Sequence, residues 1–344
     1  MSTATLNPES GPAGPGPGVA EPRRRLVAKR SPADLIFRGT VRSGGLAVLA
    51  IMLMVGVFLS YRATQALHVA GFSFFTEQRW QPDSGHFGIA AVLAGTVFIG
   101  LTAIVFAVPL ALGTALYISE YAPRRLQRLL VSLVDLMAAV PSVVYGLWGA
   151  FLFQSQVTGL ARWLSTYFGW IPLFQVDGAD PKDPLVDLTR YTSSTFVAGI
   201  VVALMVTPIA CSIMREAFSQ APQGEREAAY ALGATRWGTV RAVVLPFGRG
   251  GIIGGTMLGL GRALGETITV FMIISPVFVI QPHILQNGAN SVSALIALRY
   301  GEASALGTSA LMAAGLALFL MTLVVNFGAS IVIARSRSGA VSEA

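Results

Sequence analysis

Six apolar runs divide the chain, at about residues 44–67, 88–119, 129–153, 194–214, 250–274 and 306–334. A helix needs roughly 20 residues to cross a bilayer, so the pattern predicts an all-α polytopic membrane protein with six transmembrane helices. The second run is too long for one untilted span, and Pro109 within it is expected to end or kink the helix, leaving a short apolar continuation towards Tyr117. Pro141 falls inside the third run, in AAVPSVVYGLWG. It predicts a break in the hydrogen-bond ladder whose freed groups need protein neighbours or a water-lined cavity. A long polar segment, residues 225–246, lies between the fourth and fifth runs. Within it, Glu225, Ala228, Ala229 and Leu232 fall at i, i+3, i+4 and i+7, which predicts a helix with one small-residue face open to close approach. Gly233 suits a left-handed cap at the end of that helix. A second helical stretch with Trp237, Val240, Val243 and Val244 follows, and Pro246 is expected to close it.

Composition sharpens the class. Of the 344 residues 53% are hydrophobic and only 12% charged, against about 25% charged in a soluble domain. The net charge of +7 could indicate nucleic acid, but the arginines sit beside the apolar runs, a distribution that follows membrane topology and argues against a nucleic-acid partner. With the N-terminus inside, Arg23, Arg24, Arg25, Lys29, Arg30, Arg38, Arg42, Arg124, Arg125, Arg128, Arg215, Arg226, Arg236, Arg241, Arg249, Arg335 and Arg337 are cytoplasmic. Only Arg62, Arg79, Arg162, Lys182, Arg190 and Arg299 are then outside, so both termini are assigned to the cytoplasm of a multi-pass protein in the cell (inner or plasma) membrane. Residues 1–42 read as a disordered basic cytoplasmic tail, Gly/Pro-rich at first, whose cations set topology and touch anionic lipid. Residues 43–84 read as an N-terminal transmembrane helix and outer loop, 85–335 as a five-helix core and 336–344 as a second cytoplasmic tail. No cleavable signal is expected before the first run.

Several chemistries lack their residues. Cys211 is the sole cysteine, so no intrachain disulfide or thiolate cluster forms, and it reads as a small buried side chain. His68, His86 and His283 share no metal-binding spacing, so no metal site is expected. There is no GxxxxGK[ST] phosphate loop and no GxSxG elbow, so energy must come from another chain or an ion gradient. The large outer loop, about residues 154–192, places Trp163, Tyr167 and Trp170 at the membrane interface. Asp177, Asp180, Asp183 and Asp187 then follow too loosely for a calcium loop; they read as a solvated loop, with a partner-docking surface as the other reading.

The most informative polar residues within an apolar run are Arg262 and Glu266, in LGLGRALGETITV. On one helix they are i, i+4 and close enough to pair. A charge at the bilayer centre costs at least about 2.5–3.5 kcal/mol, which leaves two readings. Either the pair pins helix packing, or Arg262 meets an anion in transit while Glu266 holds the arginine in place. GxxxG spacing at 255/259 and 261/265 invites a second helix to approach.

The spacing of Glu227, Ala228, Ala229, Gly233, Leu245 and Pro246 resembles the EAA loop of ABC importer permeases. Valine stands at 243, where that loop usually has isoleucine. Together with VPLALGTALYISEYAP, PSVVYGLWG and GRALGETITVFMI, it resembles the phosphate permeases of Pst-type importers over roughly residues 85–335, the C-type subunit more than the A-type. The resemblance implies a type I importer (MetI-like) core of five helices plus one N-terminal helix, within the binding-protein-dependent transport inner-membrane component family. It implies a pore subunit without an ATPase site or cofactor of its own, with ATP held by a cytoplasmic ATPase dimer docked on the EAA residues. An A-type second permease and an extracytoplasmic phosphate-binding protein would complete the assembly, and the transport role of the GRALGE segment carries onto Arg262 and Glu266. A permease for sulfate or molybdate is the rival within the class. An ion-coupled secondary transporter is the rival outside it, disfavoured because it needs no ATPase dock; a non-transporting membrane scaffold that senses phosphate is a third reading, in which a pore-lining pair would be superfluous.

Overall fold

The computed structural model describes residues 32–178 and 180–336. The basic cluster Arg23, Arg24, Arg25, Lys29 and Arg30 and the C-terminal residue Arg337 lie outside the described residues. The first helix, α1, runs Pro32–Ala70 with Asp34 in its first turn. Proline at the first position and an acid beside the N-terminal dipole both favour a helix start, so residues 32–42, expected as tail, are helical. The chain divides within α1 into two units, Met1–Leu53 and Met54–Ala344.

In the second unit a short hairpin, β1 (Trp80–Gln81) paired antiparallel with β2 (His86–Phe87), follows α1. Next come α2 (Ala90–Leu116), continued by a π-helical turn at Tyr117–Tyr121, and α3 (Arg124–Ala139). Helix α4 (Ser142–Trp148) passes through a second π turn, Gly149–Phe153, into α5 (Gln154–Phe168). Helix α6 (Thr195–Ser219) leads to the polar segment, which holds α7 (Gln223–Ala231), α8 (Arg236–Thr239), a π turn at Val240–Val244 and α9 (Leu245–Phe247). The chain closes with α10 (Arg249–Gly265), α11 (Ile268–Ile273), α12 (Val292–Arg299) and α13 (Ala305–Ser336).

Among the described residues four stretches are long and apolar enough to cross a membrane: Pro32–Phe75, Ala90–Tyr121, Thr195–Ser219 and Ala305–Ile331. Two bent pairs raise the number to six if each counts as one: Arg124–Ala139 with Ser142–Phe168, bent by 87°, and Arg236–Phe247 with Arg249–Gly265, bent by 66°. The expected break at Pro141 is therefore sharp, whereas α2 runs on through Pro109, which neither ends it nor divides it into two spans.

Helix α6 is the axis of the core. Along α2, Ala103, Ala107, Ala111 and Ala115 are all fully buried, a ridge at i+4 spacing. A Cβ on Gly199 of α6 would stand 2.5 Å from Thr102 Cγ2, so the two backbones lie close together. On its other side α6 meets a glycine ridge of α10. A Cβ on Gly251 would collide with Ala217, one on Gly255 would stand 2.9 Å from the Ala210 carbonyl oxygen, and one on Gly259 2.7 Å from Val206 Cγ1. Inside lipid such seams are held by close packing rather than by exclusion of water. The 255/259 spacing thus does what the sequence suggested. In the other pair, Gly261 faces Asn326 of α13, with a Cβ 3.1 Å from its Oδ1, while a Cβ on Gly265 meets nothing within 4 Å.

The long loop after α5 is fastened. Arg162 donates from Nε to the Pro181 carbonyl (2.9 Å) and from Nη2 to the Asp183 carbonyl (2.8 Å). The aspartates mostly turn back on their own chain: Asp180, Asp183 and Asp187 accept from the backbone N–H of Lys182, Leu185 and Thr189, each at 2.9 Å. These are Asx turns, in which a short acid shapes the loop. The bonds from Thr189 hold the Asp187 carboxyl below its ordinary range. His283 donates from Nδ1 to the Pro172 carbonyl at 2.6 Å and lies 3.6 Å by Nε2 from the Asp177 carboxylate.

Candidate functional site: an exposed helical hairpin and a double helix break

The polar segment folds as a helical hairpin. Glu225 sits in the first turn of α7, where an acid complements the helix dipole. At the other end Gly233 has φ +84°. Its N–H donates to the Tyr230 carbonyl (2.9 Å) and that of Ala234 to the Ala229 carbonyl (3.0 Å). This pair of bonds is the Schellman closure that wants glycine. Thr235 then caps α8, its Oγ1 accepting from the Gly238 N–H at 3.1 Å.

Helix α7 has no buried residue. Glu227, Ala228, Gly233 and Pro246 are exposed and Ala229 and Leu245 half-buried. Leu232 is 89% exposed, and Tyr230 and Trp237 are exposed beside it. The hairpin thus carries exposed apolar side chains among its polar ones. Pro246 does not close the second stretch: the helix continues past it to Phe247, after a π turn in which the Leu245 N–H reaches back to the Val240 carbonyl, and the break falls at Gly248.

Arg226 was legible only as one more inside arginine. Its Nη1 donates to Glu120 Oε2 at 2.8 Å and its Nη2 to the Phe218 carbonyl at 2.7 Å. Glu120 is further held by Ser119 Oγ at 2.6 Å. Among the described residues Glu120 therefore pairs with Arg226 and not with its sequence neighbours Arg124, Arg125 and Arg128.

Arg262 and Glu266 do not occupy one helix face. Helix α10 stops at Gly265, and Glu266 has extended backbone, φ −65° and ψ 127°. Among the described residues the two form no ion pair. Glu266 instead accepts the Thr269 N–H on Oε1 (3.1 Å) at the start of α11, and its carbonyl accepts from Ser293 Oγ of α12 (2.6 Å). The expected i, i+4 pair is thus corrected by the helix end between its members. Glu266 and Thr267 separate Gly265 from Ile268, where the helix resumes as α11.

The break after α10 lies against the break at Pro141. Thr269 Oγ1 donates to the Ser142 carbonyl at 3.1 Å, and a Cβ on Gly146 would stand 3.2 Å from the Thr269 backbone. Tyr145 donates from its hydroxyl to the Met137 carbonyl at 3.1 Å, bracing the α3–α4 bend, and Arg262 is exposed. No group of three or more His, Cys, Asp or Glu side chains with metal-binding geometry occurs among the described residues.

Comparison with known proteins gives concordant results. The family described as "Binding-protein-dependent transport system inner membrane component" matches residues 107–338. The phosphate transport system permease protein PstC 2 of Mycobacterium bovis is 39% identical over 300 residues, covering 86% of this chain and 90% of the relative. Phosphate transport system permease protein PstC of Mycobacterium leprae is 40% identical over 287 residues (82% and 86%), and that of Pasteurella multocida 36% over 297 (85% and 89%). Among solved structures, a bacterial alginate ABC transporter in complex with an alginate pentasaccharide-bound periplasmic protein aligns with a TM-score of 0.55 at 16% identity, covering 86% of this chain and 93% of that one. A second structure of a bacterial alginate importer aligns at 0.51 and 16%, covering 87% and 98%. At these identities the likeness concerns the fold.

Proposed function

The chain belongs to the family of binding-protein-dependent transport system inner membrane components, and on that premise we propose that it is the membrane-spanning pore subunit of an ATP-driven importer of inorganic phosphate. It is a multi-pass membrane protein and a permease component of an ABC system. The observation that carries the substrate is the relatedness to phosphate permeases along nearly the whole chain. Its working partners are, in this reading, a second permease of the A type, a cytoplasmic ATPase dimer that binds the ATP, and an extracytoplasmic phosphate-binding protein. The pore chain itself has no catalytic site and no cofactor, and both its termini are cytoplasmic.

Glu227, Ala228, Ala229, Gly233, Leu245 and Pro246 belong to the ATPase dock. The exposed Leu232 and Trp237 support this, since they need a cover. Arg262 is the contact for the anion and Glu266 shapes the pathway. Two observations support that assignment: Arg262 is exposed and has no carboxylate within ion-pair distance among the described residues. A guanidinium presented to lipid would be costly, so it belongs on a polar path, where its planar fork matches phosphate oxygens. Glu266, by capping α11, sets where the helix break falls.

Uptake of labelled phosphate by reconstituted complexes tests the reading, normalised to assembled complex. Arg262→Gln is expected to assemble and to lose transport, Arg262→Lys to keep part of it, and Arg262→Gln with Glu266→Gln to show no rescue. Near-wild-type uptake by the double variant removes Arg262 from the pathway. Import of sulfate in place of phosphate by the wild type overturns the substrate.

A further inference from the structure

We propose that Arg226 and Glu120 form a strut that carries displacement of the docking helix α7 through α2 to the helix break beside Arg262. The inference rests on the reading of the chain as an ATP-driven permease and names the residues that link its two working parts.

Arg226 is the only residue of α7 among the described residues whose side chain hydrogen-bonds another element. Nothing in α7 is buried; besides the chain at its two ends and its packing on α8 and the Val240–Val244 turn of the same hairpin, a load on this helix reaches α2 and α6 through this guanidinium. The guanidinium grips two points. One is the carboxylate of Glu120 in the π turn that ends α2 (2.8 Å), and the other is the carbonyl of Phe218 near the end of α6 (2.7 Å). Both side chains are largely withdrawn from solvent, Arg226 to 21% exposure and Glu120 to 10%, and a planar fork resists being turned or stretched where a single ammonium would swivel.

The far end of α2 is anchored as well. Thr96 Oγ1 accepts the Val292 N–H at 3.0 Å, at the start of α12, and Gly95 packs directly on the Asn290 carbonyl. The next residue, Ser293, donates from Oγ to the Glu266 carbonyl at 2.6 Å. Polar contacts and one rigid helix therefore connect α7 to the residue that ends the α10 pathway segment. No single sequence motif contains both ends, because Glu120 and Arg226 are 106 residues apart.

The test uses the complete transport complex in proteoliposomes, with phosphate imported and ATP hydrolysed measured in the same vesicles. The variants are Glu120→Gln, Arg226→Lys and Thr96→Val, none of them an assigned dock or substrate residue. Glu120→Gln is expected to assemble with its ATPase and to hydrolyse ATP within about twofold of wild type, yet to import about fivefold or more less phosphate per ATP. Arg226→Lys, which keeps the charge and loses the fork, is expected to fall between. Thr96→Val is expected to lower the same ratio, and adding it to Glu120→Gln to lower it no further, as for two cuts in one chain. A wild-type import ratio in Glu120→Gln overturns the strut. Loss of assembly in both Glu120→Gln and Arg226→Lys also overturns it, because the pair is then a structural tie alone. A wild-type complex that imports sulfate instead of phosphate defeats the substrate reading only, and the same ratio measured with sulfate still scores the strut.

Discussion

Gly233 has open space where a Cβ would stand and a left-handed backbone, so any substitution there is charged for conformation alone. An L-residue in that region costs roughly 1–2 kcal/mol, and asparagine tolerates it better than most. Gly233→Val is therefore expected to leave the protein inserted but to weaken retention of the ATPase and lower uptake, with Gly233→Asn near wild type. Co-purification of the ATPase with each variant checks this, and equal retention by both would detach the turn from docking. The residue was legible in the sequence because a glycine ending a small-faced helix has few other uses. Glu266 was not, since spacing alone treats four residues as one helical turn, whereas α10 ends at Gly265 and Glu266 is extended. The partner of Arg226 was hidden for another reason: no local pattern reports a carboxylate supplied by a distant helix.

At the scale of elements, the seam between α6 and α10 separates two glycines that look alike in sequence. Gly255 has the Ala210 carbonyl oxygen where a side chain would go, whereas Gly265 has no neighbour. Gly255→Val is expected to destabilise the folded permease by about 1–3 kcal/mol through overpacking. Gly265→Ala is expected to be neutral or to gain up to about 1 kcal/mol from helix propensity. Unfolding of detergent-solubilised protein measures both, and equal stability of the two variants would deny that α10 packs on α6 through Gly255. Interior prolines divide in the same way. Pro109 lies between Ala107 and Ala111, both buried in the ridge facing α6, and α2 continues through it as one helix. Pro141 follows α3, which buries no residue, and the chain there is free to turn by 87°.

For the whole molecule, the arginine asymmetry predicts sidedness. Reporter fusions after Arg128 and after Arg241 are expected to face the cytoplasm and fusions near Asp183 the outside; an outward Arg241 fusion would remove the docking hairpin from the reach of any ATPase. The six apolar runs map onto the six possible spans; Pro141 announced the bend in the third, whereas the bend at Gly248, just before the fifth run, left no mark in the hydropathy, which is blind to helix axes. The glycine seam has a mechanical consequence. Interlocked side chains act as teeth, and shifting one helix past another then requires rotamers to change together. Gly251, Gly255 and Gly259 present almost a bare backbone to Val206, Ala210 and Ala217. On that surface any added side chain would act as a wedge, prising α10 off α6 at the point where it was inserted.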